Sequence, residues 1–381
     1  MRIVVDENIP YGKEAFSQLG EVVLCPGRQI TAADVREADL LIVRSITKVN
    51  SSLLDGSQVR FVGTATIGED HVDTVYLAEH GIAFASAPGC NANSVGEYVV
   101  AAMLYLAETR EFRLQDRKLG IIGHGNVGKN VERKAQVLGM TCVVNDPPLA
   151  RETGDPKYRP LDEIFECQII TVHVPLTRSG MDATYHLLDE AFFKRVKTGA
   201  IIINTSRGAV VDGKALQNAL ELGKVGASVL DVFENEPNIS TELLANCAIG
   251  TPHIAGYSFD GKVNGTRQVY EATCRFLGVH PTWDPLPLLP APEVPEVQVD
   301  GAAASLQTEL WRAVESVYDI RRDDEALRAI MTQPECERGP YFDRLRKEYP
   351  RRREFHNTKI VAQPPNLELT TKLTGIGFRE S

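Results

Sequence analysis

Residues 119–130 read Leu119-Gly120-Ile121-Ile122-Gly123-His124-Gly125-Asn126-Val127-Gly128-Lys129-Asn130: a short apolar run, a glycine-spaced turn, then a helix continuing through Ala135 and Leu138. A strand feeding a G-x-G-x-x-G turn that opens a helix is the arrangement that receives a dinucleotide. Gly123, Gly125 and Gly128 permit the tight turn and close backbone approach, and the helix start at Asn126 and Val127 presents amides to a pyrophosphate. The acidic residue expected about 20 positions further on is Asp146, at the end of the apolar run Thr141–Asn145. A carboxylate there accepts hydrogen bonds from a ribose 2′-hydroxyl and repels a 2′-phosphate, which points to NAD rather than NADP. His124 interrupts the fingerprint and is read as facing solvent, the alternative being a ring that points at the pyrophosphate and alters its affinity.

Working outward, apolar runs alternate with helix-length segments on both sides. Upstream, Ile3–Val5, Glu21–Leu24, Leu40–Val43, Phe61–Gly63 and Ile82–Phe84 lack strict polar alternation, as strands buried on both faces do. Downstream the pattern repeats in QIITVHV, GAIIINTS, GASVLDVF and CAIGTPH. Two successive α/β segments with parallel sheets follow from this. The turn-rich stretch Ala87–Asn93 separates them. Ser94 and Glu97 have the spacing of a capping box, and the helix Tyr98–Glu108 is apolar nearly all round, which predicts a buried helix or one at a subunit interface. Asp284–Pro292 is a proline-rich connector. Beyond it Ala303–Met331 reads as helical, and Arg351-Arg352-Arg353 reads as a solvated face or an inter-subunit salt bridge.

Bulk properties narrow the function classes. At 381 residues the chain exceeds one ordinary core, so two or three domains are expected. A formal charge of -10 argues against a nucleic-acid binder. The seven cysteines are scattered and never spaced as CxxC, which disfavours a disulfide framework or metal site and suits the cytoplasm. The N-terminus lacks the pattern of a signal peptide, and Val99–Ala107 is too short to span a bilayer, so no membrane role is expected.

Three later motifs each follow a predicted strand: Asn204-Thr205-Ser206-Arg207-Gly208, Asp231-Val232-Phe233-Glu234-Asn235-Glu236-Pro237 and Thr251-Pro252-His253-Ile254-Ala255-Gly256. In open α/β sheets ligands bind at such carboxyl ends. An arginine, a glutamate and a histidine there suit the oxidation of a 2-hydroxy acid. The imidazole takes the hydroxyl proton, the carboxylate orients it, and the guanidinium grips the substrate carboxylate.

The string GHGNVG, HVPLT, NTSRG, DVFENEP and TPHIAG resembles the D-isomer-specific 2-hydroxyacid dehydrogenase family over roughly residues 1–280. The resemblance implies His253 as acid/base, Glu236 as its partner and Arg207 as the substrate-binding arginine. It implies NAD contacts at Val174, Thr205, Ser206, Asp231 and Gly256, besides the fingerprint and Asp146. The implied fold has two Rossmann-like doubly wound parallel-sheet domains plus a smaller α+β C-terminal dimerisation domain. Their expected extents are 1–93 with 256–285 for the outer substrate domain, 94–255 for the NAD domain and 286–381 for the C-terminal domain.

Within the family, the loop at Arg44 and Ser45, the hydroxyl-rich Thr64-Ala65-Thr66 and Tyr257 resemble members acting on phosphorylated acids. Arg44, Ser45, Thr66 and Tyr257 are therefore the expected contacts to a small phosphorylated 2-hydroxy acid, and the expected assembly is a homodimer. Members acting on phosphoglycerate or another 2-hydroxy acid share every catalytic motif. A non-catalytic NAD-sensing corepressor on the same scaffold is the alternative from another class.

Overall fold

The computed structural model describes residues 1–380, which divide into two compact units: Met1–Ala92 with Tyr257–Ala291, and Asn93–Gly256 with the chain from Pro292 onward.

The first unit is built on a five-stranded parallel sheet of β1 (Arg2–Asp6), β2 (Glu21–Cys25), β3 (Leu40–Val43), β4 (Phe61–Thr64) and β5 (Ala83–Ala85), in the order β2-β1-β3-β4-β5. Every residue of β3 and β4 is buried, which explains their unbroken apolar runs. The long helix Phe259–Leu277 packs on this sheet, with Val269, Tyr270 and Cys274 in the same core as Ile3, Ile42 and Phe61.

The second unit carries a six-stranded parallel sheet: β6 (Lys118–Ile122), β7 (Thr141–Asn145), β8 (Ile169–Val172), β9 (Ala200–Asn204), β10 (Val225–Leu230) and β11 (Ile249–Gly250). Its order is β11-β10-β9-β8-β6-β7, so the direction of winding reverses beside β6, the place where open α/β sheets bind their ligands. The C-terminal residues of this unit add a small parallel sheet of β12 (Glu296–Asp300), β13 (Lys359–Gln363) and β14 (Arg379–Glu380), with helices between its strands.

Three local readings change. The helix expected from Tyr98 begins at Ala92, so Ser94 is not a cap. Its hydroxyl donates to the Ala255 carbonyl at 2.8 Å, and Glu97 instead accepts from Asn93 Nδ2 and the Phe355 amide. The apolar surface of this helix is covered by its own chain: Tyr98 OH meets Thr251, and the Tyr105 and Trp311 rings lie 5.6 Å apart. The helical stretch from Ala303 is two helices, Leu306–Val317 and Ile320–Arg328, because the Asp319 carboxylate caps a new start by accepting from the Arg321 amide. Arg352 and Arg353 are only 8% and 7% exposed, so of the three arginines Arg351 alone faces solvent. Arg352 owes its burial to partners far away in sequence, described below, whereas Arg353 donates to Asn357 Oδ1 at 2.6 Å.

Candidate active site

The turn after β6 shows why each fingerprint glycine is there. Gly123 has φ 89°, and a Cβ on it would lie 2.6 Å from the His173 carbonyl oxygen. A Cβ on Gly128 would lie 2.1 Å from the Gly123 carbonyl. Those two glycines let the helix Asn126–Val137 pack against the strand. Gly125 is different: among the described residues nothing lies within 4 Å of a Cβ placed there, and no side chain caps the helix that it begins. Open space at an uncapped helix N-terminus fits a pyrophosphate.

Asp146 stands at the end of β7, its carboxylate accepting from the His124 amide at 2.8 Å and the Leu149 amide at 3.0 Å. It is thereby fixed beside the glycine turn. His124 itself does not face solvent. It is 1% exposed, with Nε2 2.7 Å from Glu132 and its ring edge-on to Tyr158. Asn126 and Val127 form the first helical turn, and the Val174 side chain packs on the core beside Gly123. Burial pushes the neighbouring His173 down to about 3, so its ring stays neutral between Thr171 and Thr205. Ser206 is buried, its amide and hydroxyl both donating to Asn204.

The structure brings Glu236 and His253 together. His253 Nδ1 lies 2.7 Å from Glu236 Oε2, while Oε1 accepts from the Phe233 amide at 2.9 Å. Burial raises the Glu236 carboxyl, but the His253 charge and hydrogen bond, the Phe233 amide and the Arg346 charge outweigh it and hold it below the ordinary range. An ionised carboxylate only accepts, so Nδ1 carries the proton and Nε2 is the basic ring nitrogen. Arg346 was not visible as a contributor in the sequence, since nothing local distinguishes it from the other charges around it.

Arg207 follows β9 and donates to the Ser206 carbonyl at 2.9 Å. Asp231, at the end of β10, is 1% exposed and accepts from Thr251 Oγ1, the Ile254 amide and the Ala255 amide, at 2.7, 2.7 and 2.9 Å. Its carboxylate thus holds the loop that carries His253 and leads to Gly256. Tyr98 and Thr251 extend this network inward. Neither stood out in the sequence as a site residue.

In the first unit, Arg44 follows β3 and reaches the Asn8 carbonyl at 3.4 Å, beside the exposed Ser45. After β4, Thr64 and Thr66 share a 2.8 Å hydroxyl contact, and Thr64 also meets His71 Nε2 at 3.0 Å. Tyr257 precedes the helix Phe259–Leu277, and its ring faces the Lys262 ammonium. Among the described residues no His, Cys, Asp and Glu cluster suits a metal ion, and no helix is long and apolar enough to cross a membrane.

A family model for the NAD-binding domain of the D-isomer-specific 2-hydroxyacid dehydrogenases matches residues 97–255, and one for a domain of unknown function matches residues 288–377. An erythronate-4-phosphate dehydrogenase of Escherichia coli is 47% identical over 381 residues, covering 99% of this chain and 98% of its own; one from Shigella flexneri shows the same values. Among solved structures, the NAD-bound 3-phosphoglycerate dehydrogenase of Entamoeba histolytica has TM-score 0.62 and 26% identity, covering 73% of this chain and 95% of that one. The Aquifex aeolicus D-lactate dehydrogenase complexed with NAD and lactic acid has TM-score 0.59 at 24% identity, covering 73% and 96%. The chain belongs to the D-isomer-specific 2-hydroxyacid dehydrogenase family. It is an NAD-dependent dehydrogenase, and the open Gly125 cradle and fixed Asp146 fit that cofactor.

Proposed function

We propose that the chain oxidises 4-phospho-D-erythronate to 2-oxo-3-hydroxy-4-phosphobutanoate, a step of pyridoxal 5′-phosphate biosynthesis. The 2.7 Å pairing of His253 Nδ1 with Glu236 carries the chemistry. The choice of substrate is supported by the full-length likeness to the erythronate-4-phosphate dehydrogenases.

In this reading His253 Nε2 takes the proton from the 2-hydroxyl as the hydrogen on C2 departs as hydride, leaving a C2 carbonyl. Bound NAD supplies the hydride acceptor. Glu236 stabilises the imidazolium, and Arg207 binds the substrate carboxylate and polarises the growing carbonyl. Arg44, Ser45, Thr66 and Tyr257 bind the rest of the phosphorylated acid. Gly123, Gly125, Asn126, Val127 and Gly128 receive the pyrophosphate and Asp146 the ribose, while Val174, Thr205, Ser206, Asp231 and Gly256 line the remainder of the cofactor. A cytoplasmic homodimer belongs to the same reading. Seven scattered cysteines with no CxxC spacing suit a reducing compartment, and sedimentation analysis tests the dimer.

The test is NADH formation with 4-phospho-D-erythronate, 3-phosphoglycerate and D-lactate side by side, with a 2-oxo acid present in a parallel assay to re-oxidise retained cofactor. Selective turnover of phosphoerythronate is expected, with kcat reduced about 10²–10⁴-fold in His253→Ala. Preference for phosphoglycerate overturns the substrate assignment. No turnover of any acid, with NAD bound, favours the corepressor.

A further inference from the structure

The loop that carries His253 is held from two sides, and one side comes from the C-terminal segment. His253 has φ 58°, a left-handed conformation that a non-glycine residue keeps only when its surroundings over-determine it. The amides of Ile254 and Ala255 are taken by the Asp231 carboxylate. The Ala255 carbonyl is taken by Arg352 Nη2 at 2.7 Å and by the Ser94 hydroxyl at 2.8 Å.

Arg352 is a costly residue to place there. It is 8% exposed, and its Nε and Nη1 are buried without hydrogen-bond partners among the described residues. Its guanidinium donates to the Ala255 carbonyl and to Ser94, which bonds that same carbonyl. Its guanidinium is stacked 4.2 Å from the Tyr318 ring centroid. Tyr318 and Tyr349 both donate to Asp323, whose charge acts on the arginine across them. A planar cation that must lie on a ring while donating sideways to a carbonyl is an arginine, not a lysine.

A second grip lies just upstream in the chain. β11 is a two-residue edge strand, and its Gly250 amide donates to Asp324 Oδ1 at 2.7 Å. Arg328 is fixed by the other oxygen of Asp324 at 2.7 Å and donates to the Leu244 and Cys247 carbonyls at 3.1 and 2.8 Å. The backbone from Leu244 to Ala255 is therefore clamped at several points by charged side chains from the region that the model for a domain of unknown function matches.

We propose that Arg352 is a positioning residue for His253, fixing the carbonyl end of its loop, and that Asp324 and Arg328 anchor the strand leading into it. The C-terminal segment is then part of the catalytic apparatus. This rests on His253 being the acid/base.

The test uses full-length Arg352→Ala, Arg352→Lys and Ser94→Ala beside His253→Ala, reading kcat, both KM values, NADH affinity by fluorescence and the melting temperature. A misplacement of the base predicts that Arg352→Ala loses about 10- to 100-fold in kcat with NADH affinity kept, that millimolar guanidinium restores part of the loss, and that lysine does not. A folded Arg352→Ala with wild-type kcat overturns the proposal. So does a loss in which kcat, NADH affinity and melting temperature fall together without rescue. Should Arg352→Ala fail to fold, Ser94→Ala and Arg352→Lys probe the same carbonyl: reduced kcat with NADH binding intact supports the role, and wild-type kcat in both overturns it. Turnover retained in His253→Ala overturns the site reading itself, a result separable from the others.

Discussion

Both large sheets of this chain reverse their winding at their first strand, yet the residues that follow those strands differ in kind. β1 lies between β2 and β3, and β6 between β8 and β7. After β6 come three glycines and a twelve-residue helix with an uncapped start. β1 ends on Asp6 and Glu7 follows, and the buried Asp6 accepts from the Asn8 amide at 2.9 Å. The next helix, Gly12–Phe16, is five residues long, and a Cβ on Gly12 would lie 2.9 Å from Val5. A carboxylate and a packed turn repel a phosphate where glycines and free space admit one. The same topology supplies a crevice in each case, and a few residues after the strand decide what enters it.

The glycines give the sharpest way to break this comparison. Gly125→Val fills open space, so it should leave the melting temperature nearly unchanged while weakening NADH binding about a hundredfold, about 2.8 kcal/mol. Gly128→Ala forces an atom to 2.1 Å from a backbone oxygen, so it should cost about 1–3 kcal/mol of stability or more. Fluorescence titration and thermal melting separate the two. If Gly125→Val left NADH affinity intact, the open turn would not be the cofactor site.

Buried charge separates the units as well. The first buries the carboxylates of Asp6 and Asp260, whereas the second buries Glu97, Lys134, Asp231, Glu309, Arg352, Arg353 and Glu354. Burial, reinforced by Glu354, pushes Glu97 up to about 8, against the pull of Lys134 and Arg352. With its pKa raised above the unfolded value, the folded chain binds more protons through this group than the unfolded chain between about pH 5 and 8. Its contribution to stability is therefore present at the acid end of that window and lost as pH rises toward 8. Glu97→Gln should flatten this decline in denaturant melts taken across the window. An unchanged slope would mean that Glu97 is ionised throughout.

The sheets and the glycine turn were legible because their signals are local: apolar runs buried on both faces, and glycines at fixed spacing before a helix. The pairing of Glu236 with His253 was legible as two motifs at the ends of neighbouring strands. What escaped was decided by distant partners. Ser94 and Glu97 carry the spacing of a capping box, but their side chains meet Ala255 and Phe355. Arg352 and Arg353 resemble surface charge in a run of arginines and are buried. His124 differs in range: it owes its burial to the nearer Glu132 and Tyr158, which its place in a glycine turn does not announce. No pattern within a short window encodes a contact across 100 or 250 residues.

The most direct measurement of the central claim follows the hydrogen itself, by mass spectrometry of one turnover with 4-phospho-D-erythronate deuterated at C2. The account predicts one deuterium on the nicotinamide ring for each 2-oxo acid formed, and both products formed about 10²–10⁴-fold more slowly in His253→Ala. A 2-oxo acid formed with no deuterium on the nicotinamide, or transfer equally fast in His253→Ala, would contradict it.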